Sequence, residues 1–273
     1  VERARIGIAD VVGVALAGSC EAVARAASGL AAPSASPVDP QLWGRNRNAP
    51  LLDAVYANAA AAHALDWDDY SHPMHGHCSA VLTPICITLG QALHRSGAEV
   101  IEAYLAGHEV DAMIGAVATG DHYRRGWHAT STIGVMGAAV AAGRLLRLTP
   151  IQMQHAIAIA ASHAAGIRQN FGSTAKPLHA ANAARSGLMS ALLAQAGVEG
   201  SAGALTGRYG WFALYGAKTL NAVASPDGPL SIEGDWGLVL KPYACCGSSH
   251  AVIDAVLAIR QQEKPDLADI ESI

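Results

Sequence analysis

Long runs of small apolar residues set what this chain can fold into. Residues 134–143 contain only Gly, Ala, Val and Met, and residues 51–65 are rich in alanine. Alanine has the highest intrinsic helix propensity, and its small side chain lets neighbouring helices approach closely. The chain is 51% hydrophobic but only 5% aromatic. This composition favours closely packed helices over a β-sandwich.

The apolar runs recur with helical spacing, and strand-like alternation is scarce, so we predict an all-α fold. Helices are expected at residues 3–16, 51–65, 80–94, 99–115, 130–145, 152–162, 180–195 and 249–262. A chain of 273 residues is long enough to bury a large core, and its length indicates one large domain or two modest ones. Residues 266–273 resemble the approach to a strand, so we expect more chain after them.

Charge, hydropathy and cysteine content exclude several classes of protein. The net charge of −4 and the lack of a basic stripe argue against nucleic acid and anionic membranes as partners. The apolar runs are shorter than the roughly 20 residues that a transmembrane helix needs, so no membrane association is expected. Five cysteines without a Cys-x-x-Cys spacing predict a cytoplasmic protein with unpaired thiols. The low charged fraction of 15% indicates surface buried against another subunit.

Polar loops between apolar helices hold functional groups more often than packing residues do. Four such segments stand out here, at residues 66–79, 126–132, 170–179 and 241–250. The first contains three aspartates and three histidines, namely Asp66, Asp68, Asp69, His72, His75 and His77. The other three contribute His128, Ser131, Lys176, His179, Lys241 and His250.

Most of these residues also have a structural explanation. The aspartates are equally suited to capping a helix end or lining a solvated turn. His77 could pack against the helix that follows it, and Lys176 could be a surface lysine. We expect His72 and His75 to be solvated loop residues rather than catalysts.

A metal site is the main chemical alternative at the first loop. Its ligand-type side chains are Asp66, Asp69, His72, His75 and His77, and zinc requires three or four such groups that converge. The sequence has no His-Glu-x-x-His motif, no Gly-x-Ser-x-Gly elbow, no P-loop and no Gly-x-Gly-x-x-Gly fingerprint. Serine hydrolases and nucleotide cofactors are therefore not indicated, whereas a metal-dependent hydrolase stays open.

Four segments, in order along the chain, resemble motifs of the MmgE/PrpD family. Residues 61–69 read Ala-Ala-His-Ala-Leu-Asp-Trp-Asp-Asp, and residues 126–131 read Gly-Trp-His-Ala-Thr-Ser. Residues 170–180 read Asn-Phe-Gly-Ser-Thr-Ala-Lys-Pro-Leu-His-Ala, and residues 241–246 read Lys-Pro-Tyr-Ala-Cys-Cys. The likeness extends from the first helix to about His250, and four ordered motifs are far more specific than one.

The resemblance implies a fold and a class of activity. The family includes 2-methylcitrate dehydratase, cis-aconitate decarboxylase and iminodisuccinate epimerase, and its members need no metal and no organic cofactor. It implies a helical catalytic domain, here residues 1–265, with residues 266–273 as the start of a connection to an α/β lid domain that is absent from this chain. It also implies a homodimer and a small di- or tricarboxylate substrate.

The resemblance assigns roles residue by residue. Asp66 matches the first aspartate of the Asp-aromatic-Asp-Asp motif, His77 the loop histidine before a proline, and His128 the histidine of Gly-aromatic-His. Lys176 matches the lysine before Pro-Leu-His, and His250 the late histidine. We expect His77, His128 and Asp66 to be catalytic. The expected substrate-binding residues are Lys176, His250, Tyr70 and His179.

Departures from the family pattern bear on the substrate. Tyr70 stands where a threonine or serine often follows the aspartates, and Cys78 and Ala129 each replace a proline. The loop from Asp66 to His77 is one residue longer than in cis-aconitate decarboxylase and closer to the iminodisuccinate epimerase type. These differences leave the substrate open.

The expected chemistry starts at a carbon next to a carboxylate. Charge that builds on the carboxylate needs cations fixed in place beforehand, and histidine titrates in the range needed for proton transfer. A dehydratase or decarboxylase lyase, an epimerase and a metal-dependent hydrolase all fit the sequence.

A non-catalytic helical scaffold is a further alternative. It would be favoured if Lys176 and His128 lay more than roughly 12 Å apart, because catalytic groups share one substrate.

Overall fold

A computed structural model describes residues 1–273 except residues 35, 37, 119, 217–227, 265, 267, 269 and 271–273. Its α-helices are α1 (Glu2–Gly18), α2 (Ala22–Leu30), α3 (Leu51–His63), α4 (Cys78–Ala92), α5 (Gly97–Ala118), α6 (Asp121–Arg124), α7 (Ala129–Thr132), α8 (Gly134–Leu145), α9 (Pro150–Ala161), α10 (Lys176–Gln195), α11 (Trp211–Tyr215) and α12 (His250–Glu263). Short 3-10 helices cover Arg168–Asn170, Ser231–Glu233 and Gly247–Ser249.

The described residues form isolated β-bridges but no sheet, so the predicted all-α fold is confirmed. The expected strand approach at residues 266–273 falls largely outside the described residues and stays a prediction, as does the domain boundary at residue 265.

The core is a stack of helices with small residues at their contacts. Helix α8 packs against α4, α5, α9 and α10, and α10 also packs against α3. Alanines on these faces are completely buried, among them Ala59, Ala60, Ala138, Ala139 and Ala184. A methyl side chain brings helix axes close together while still removing apolar surface from water.

Gly187 shows how close two of these helices come. A side-chain carbon at this position in α10 would collide with the Ala138 side chain and lie 2.8 Å from the backbone nitrogen of Ala139 in α8. Only a glycine fits this crossing without a shift of the backbone. The small-residue pattern that predicted close packing therefore has a direct structural counterpart.

Several local predictions need correction. Helix α2 was not expected from the sequence, and the single helix predicted at residues 130–145 is two helices, α7 and α8, interrupted at Ile133. The one-turn helix α6 was likewise not among the expected helices. Helix α10 begins at Lys176, since Pro177 is tolerated in a first helical turn. Lys176 and His179 are therefore helical and not loop residues.

No single helix in the described chain is long and apolar enough to cross a membrane. Helices α1 and α2 meet that test only when joined, and they are bent by 91° at their junction. All five cysteines are unpaired, with Cys78 and Cys86 buried.

Candidate active site

A cleft of about 680 Å³ brings most of the predicted site residues together. The predicted residues that line it are Asp66, Tyr70, His77, His128, Lys176 and His250. His179 is the exception, because it lies behind the wall and reaches the cleft through His128. Residues 66–77, 171–176, 239–241 and 246–250 all contribute to the walls.

Asp66 is the centre of the charged part of the cleft. Its Oδ2 accepts a hydrogen bond from Lys176 Nζ at 2.6 Å, and its Oδ1 accepts one from Lys241 Nζ at 2.8 Å. Burial alone would raise the pKa of Asp66, but His77, Lys176 and Lys241 together lower it to about 2. Asp66 is therefore ionised at neutral pH, and it holds both lysines on one wall.

The backbone at Asp66 places this carboxylate. Asp66 follows the end of α3 and has a φ of +50°, a left-handed conformation that aspartate adopts more readily than most residues. Lys241 Nζ also donates to the backbone oxygen of Asp66, at 2.5 Å. The lysine thus fixes both the turn and the side chain.

Asp68 is completely buried and lies between two histidines. Its Oδ1 is 2.9 Å from Nδ1 of His63, and its Oδ2 is 3.0 Å from Nδ1 of His77. Burial opposes ionisation of Asp68, yet the two histidines hold its pKa well below the usual value. The other ring nitrogen of His77, Nε2, lies 3.5 Å from Oδ1 of Asp66. Nδ1 of His77 has no hydrogen-bond partner among the described residues, so the buried carboxylate acts on His77 through its charge at short range.

His63 lies beside the two histidines that were predicted to be catalytic. Its ring centroid is 4.6 Å from that of His77 and 6.0 Å from that of His128. Burial lowers the pKa of His63, although Asp68 acts in the opposite direction. The cluster thus places three imidazoles behind and beside one cleft.

His128 precedes α7 and is held on several sides. Its Nδ1 lies 2.9 Å from Nδ1 of His179, and its ring packs edge-on against Phe171 with centroids 4.7 Å apart. Burial, followed by the nearby His63 and His77, keeps the pKa of His128 well below the usual value. Burial also lowers the pKa of His179. Both rings are neutral at pH 7, so one Nδ1 donates and the other accepts.

Phe171 joins the lysine side of the cleft to the histidine side. The Lys176 ammonium lies 5.2 Å from the centroid of the Phe171 ring, and the same ring contacts His128. Lys176 and His128 therefore converge on one cleft. This convergence argues against the non-catalytic scaffold.

Contacts between distant segments hold the walls together. The indole Nε1 of Trp67 donates to the backbone oxygen of Lys241 at 2.9 Å, and Tyr70 forms a β-bridge with Val239. The amide of His77 donates to Oγ1 of Thr130 at 3.0 Å. These bonds fix the first polar loop against the second and the fourth.

Two predicted binding residues occupy the outer part of the cleft. Tyr70 is half-buried, its ring lies 5.7 Å from that of His77, and burial raises its pKa. His250 begins α12 and packs edge-on against Tyr243. His72 and His75, expected to be solvated loop residues, also line the cleft.

Four side chains in the cluster have the composition of a metal site. His63, Asp66, Asp68 and His77 each offer a ligand atom, and these atoms lie within 4.8 Å of one another. Two ammonium groups already occupy both oxygens of Asp66, and they would repel a dication at that position. The charges around Asp66 therefore suit an anionic ligand better than a metal ion.

Sequence reasoning missed three residues of this site as functional groups. His63 and Asp68 lie inside the quoted motif at residues 61–69 but received no role, and Lys241 was noted only as part of the fourth polar segment and of its motif. The one sequence feature that could have indicated a functional role for Lys241 is its position at the start of the fourth polar segment. Its contact with Asp66 spans 175 positions, which no local pattern reveals.

The comparison with known proteins identifies the family of this chain. The MmgE/PrpD N-terminal domain matches residues 1–222. The chain belongs to the MmgE/PrpD family. The resemblance seen in the four polar segments is thereby confirmed at the level of the family.

The curated relatives of this MmgE/PrpD chain include cis-aconitate decarboxylases. The protein from Homo sapiens is 31% identical over 271 residues, which is 96% of this chain and 55% of that protein. The protein from Mus musculus is 29% identical over 268 residues, covering 96% and 54% of the two chains. One from Aspergillus terreus is 31% identical over 228 residues, covering 78% and 46%. The chain spans about half the length of the curated relatives it matches.

Proposed function

We propose that the full-length protein is a cofactor-independent lyase that acts at the carbon next to a carboxylate of a small di- or tricarboxylate. One observation carries this proposal: Lys176 and Lys241 are both held on Asp66 beside His77, at the wall of a single cleft. Cis-aconitate is the first candidate substrate, because the relatives described above are named for its decarboxylation.

The charges on this wall suit a carboxylate. Asp66 offsets one of two ammonium groups, so the three side chains carry one net positive charge. The ammonium groups are fixed before substrate binds, because each already makes a hydrogen bond of 2.8 Å or less. Fixed cations stabilise charge that develops on a carboxylate without a cost of reorganisation during the reaction.

His77 and His128 are the proposed proton-transfer groups. In a decarboxylation, the electron pair of the breaking C–C bond is delocalised into a remaining carboxylate and then takes up a proton. His128 is neutral at pH 7 and can accept or donate a proton through a ring nitrogen. Nδ1 of His77 faces the Asp68 carboxylate, and its other nitrogen lies on the Asp66 side. We propose that Lys176, His250 and Tyr70 bind substrate carboxylates and that His179 positions His128.

An epimerase is the second candidate. The rings of His77 and His128 are 6.4 Å apart and nearly perpendicular, and both line the cleft. Two bases at this separation could face opposite sides of one carbon, which epimerisation requires. The longer loop at residues 66–77 also favours this alternative.

NMR in deuterated water distinguishes the two candidates. The full-length protein is mixed in turn with cis-aconitate, 2-methylcitrate, citrate and iminodisuccinate. A lyase releases carbon dioxide or forms a new alkene, whereas an epimerase incorporates deuterium with inversion and forms no alkene. Elemental analysis of the active protein gives a separate test, because stoichiometric zinc or iron would favour a metal-dependent hydrolase instead.

The homodimer and the cytoplasmic compartment also belong to this proposal. The family resemblance supports the first, and the unpaired cysteines support the second. Light scattering after size exclusion gives the mass of the full-length protein directly, and a monomer would contradict the dimer.

A further inference from the structure

A short hairpin forms one wall of the cleft beyond the charged cluster. Ser71 and Gly76 form a β-bridge, and the four residues between them make the turn. Two imidazoles of this hairpin, those of His72 and His75, line the same cleft as Lys176. The roles proposed above for the residues of the cleft include neither of these two histidines.

The hairpin is anchored on three sides. The amide of His72 donates to the backbone oxygen of Trp236 at 3.0 Å, and the neighbouring Tyr70 pairs with Val239. A side-chain carbon at Gly76 would lie 2.8 Å from the backbone nitrogen of Thr130, so the glycine lets the hairpin rest on that segment. The two histidines are therefore presented from a fixed support.

His75 has an unusual backbone conformation for its position. Its φ is +55°, in the left-handed region that favours glycine. Among the other described non-glycine residues, Asp66, His94, Arg147 and Lys264 share this conformation, and each lies just after the end of a helix, where such a residue is common. His75 ends a hairpin turn in the cleft wall instead. Backbone strain of this kind concentrates at ligand-binding positions.

The imidazoles of His72 and His75 are available for a ligand. His72 contacts the rings of Tyr70 and Trp236, at 5.1 and 4.8 Å between centroids. Neither imidazole forms a hydrogen bond with another residue that the structure describes, and His72 is exposed to solvent. An imidazole donates an N–H in both its neutral and its protonated form, so it can bind a carboxylate in either state.

We propose that His72 and His75 form a second carboxylate subsite, which binds the carboxylate that a tricarboxylate has and a dicarboxylate lacks, while the Lys176–Lys241 wall and His250 bind the other two. The inference rests on the proposed function, because it assumes a carboxylate substrate. A tricarboxylate carries three negative charges, whereas Lys176, Lys241 and Asp66 together carry one net positive charge. The remaining carboxylates need other donors, and the hairpin supplies two that face the cleft. The subsite thus selects tricarboxylates over dicarboxylates.

The test is a binding comparison between tricarballylate and glutarate, measured by calorimetry with the full-length protein. Glutarate has the same carbon chain without the central carboxylate. We expect the wild-type protein to bind tricarballylate about tenfold more tightly than glutarate, because the central carboxylate would accept charge-assisted hydrogen bonds from the hairpin. The double variant His72→Gln and His75→Asn should lose this preference and keep the glutarate affinity within about twofold.

Matched variants keep the two proposals separate. Asparagine accepts the left-handed conformation, and His94→Asn makes the same change at the same conformation outside the cleft, so it should leave both affinities unchanged. Lys176→Met should weaken both ligands. Two results overturn the subsite alone. In the first, the hairpin variant weakens binding of both ligands equally. In the second, the hairpin variant keeps the preference for tricarballylate and His250→Gln loses it. A wild-type protein that binds neither ligand overturns the subsite and the carboxylate-lyase proposal together.

Discussion

Oδ2 of Asp68 lies 3.0 Å from Nδ1 of His77, and this contact joins a completely buried carboxylate to a histidine of the cleft. The other oxygen of Asp68 contacts His63. One charged group in the interior therefore faces two histidines, and the second nitrogen of His77 lies on the side of Asp66. Proton transfer by His77 should depend on a residue that never touches substrate.

The substitution Asp68→Asn tests this dependence. An amide cannot stabilise a protonated His77 as a carboxylate does, so we expect kcat to fall roughly 100-fold with little change in KM. The neighbouring Asp69→Asn is the matched control. Burial raises the pKa of Asp69 to about 7, so an amide resembles its protonated form at pH 6. Steady-state kinetics at pH 6 compare the two, and equal losses would show that Asp68 acts only through packing.

The substitution Lys176→Met removes one of the two ammonium groups on Asp66. The methionine keeps much of the apolar stem but not the charge, so kcat/KM should fall roughly 10- to 100-fold, as loss of a charge-assisted hydrogen bond predicts. Lys264→Met is the control, because Lys264 is exposed beyond the end of α12 and does not line the cleft. Activity of Lys176→Met within about twofold of wild type would contradict the assignment.

The helical core was predictable from sequence because its signal is local. Alanine runs report helix propensity directly, and most helices lie within a few residues of their predicted positions. The break between α7 and α8 at Ile133 was missed because an isolated glycine such as Gly134 is tolerated inside a helical pattern. The start of α10 was placed too late, since Pro177 was read as part of a loop although proline fits a first helical turn.

The members of the site were predictable, but most of their pairings were not. The polar segments and the family resemblance identified Asp66, His77, His128 and Lys176. The bonds that organise them join residues 66 and 176, 66 and 241, and 128 and 179. Such contacts depend on how helices pack, and no spacing along the chain encodes them. The burial of Asp68 between His63 and His77 was missed for the same reason, since an aspartate in a polar loop is usually solvated.

Replacement of two glycines by alanine should change the stability of the protein in opposite directions. Gly187→Ala should lower the free energy of unfolding by about 1–3 kcal/mol, because the methyl group would overlap α8 at Ala138 and at the Ala139 backbone. Gly13→Ala should raise it by roughly 0.5–1 kcal/mol, because Gly13 lies in the middle of α1 with nothing within 4 Å of the added carbon. Urea unfolding measures both. Equal effects of the two substitutions would contradict the tight crossing of α8 and α10.

Asp111 should make the stability of the protein depend on pH. Its Oδ1 accepts the Gly137 amide at 3.0 Å and its Oδ2 faces Cys78, but burial outweighs these bonds and raises its pKa to about 7, from 3.8. Between these two pH values the unfolded chain releases a proton that the folded protein keeps, so the free energy of unfolding falls as pH rises.

Asp111→Asn cannot ionise and should remove this part of the pH dependence. The histidines of the site have lowered pKa values and act in the opposite direction over the same range, so the difference between variant and wild type is the quantity to measure. From pH 5 to pH 7 this difference should shift by roughly 2 kcal/mol in favour of the variant. Urea unfolding at closely spaced pH values gives the two profiles. Parallel profiles would mean that Asp111 is ionised in the folded protein at pH 5, and that a cation or water compensates its burial.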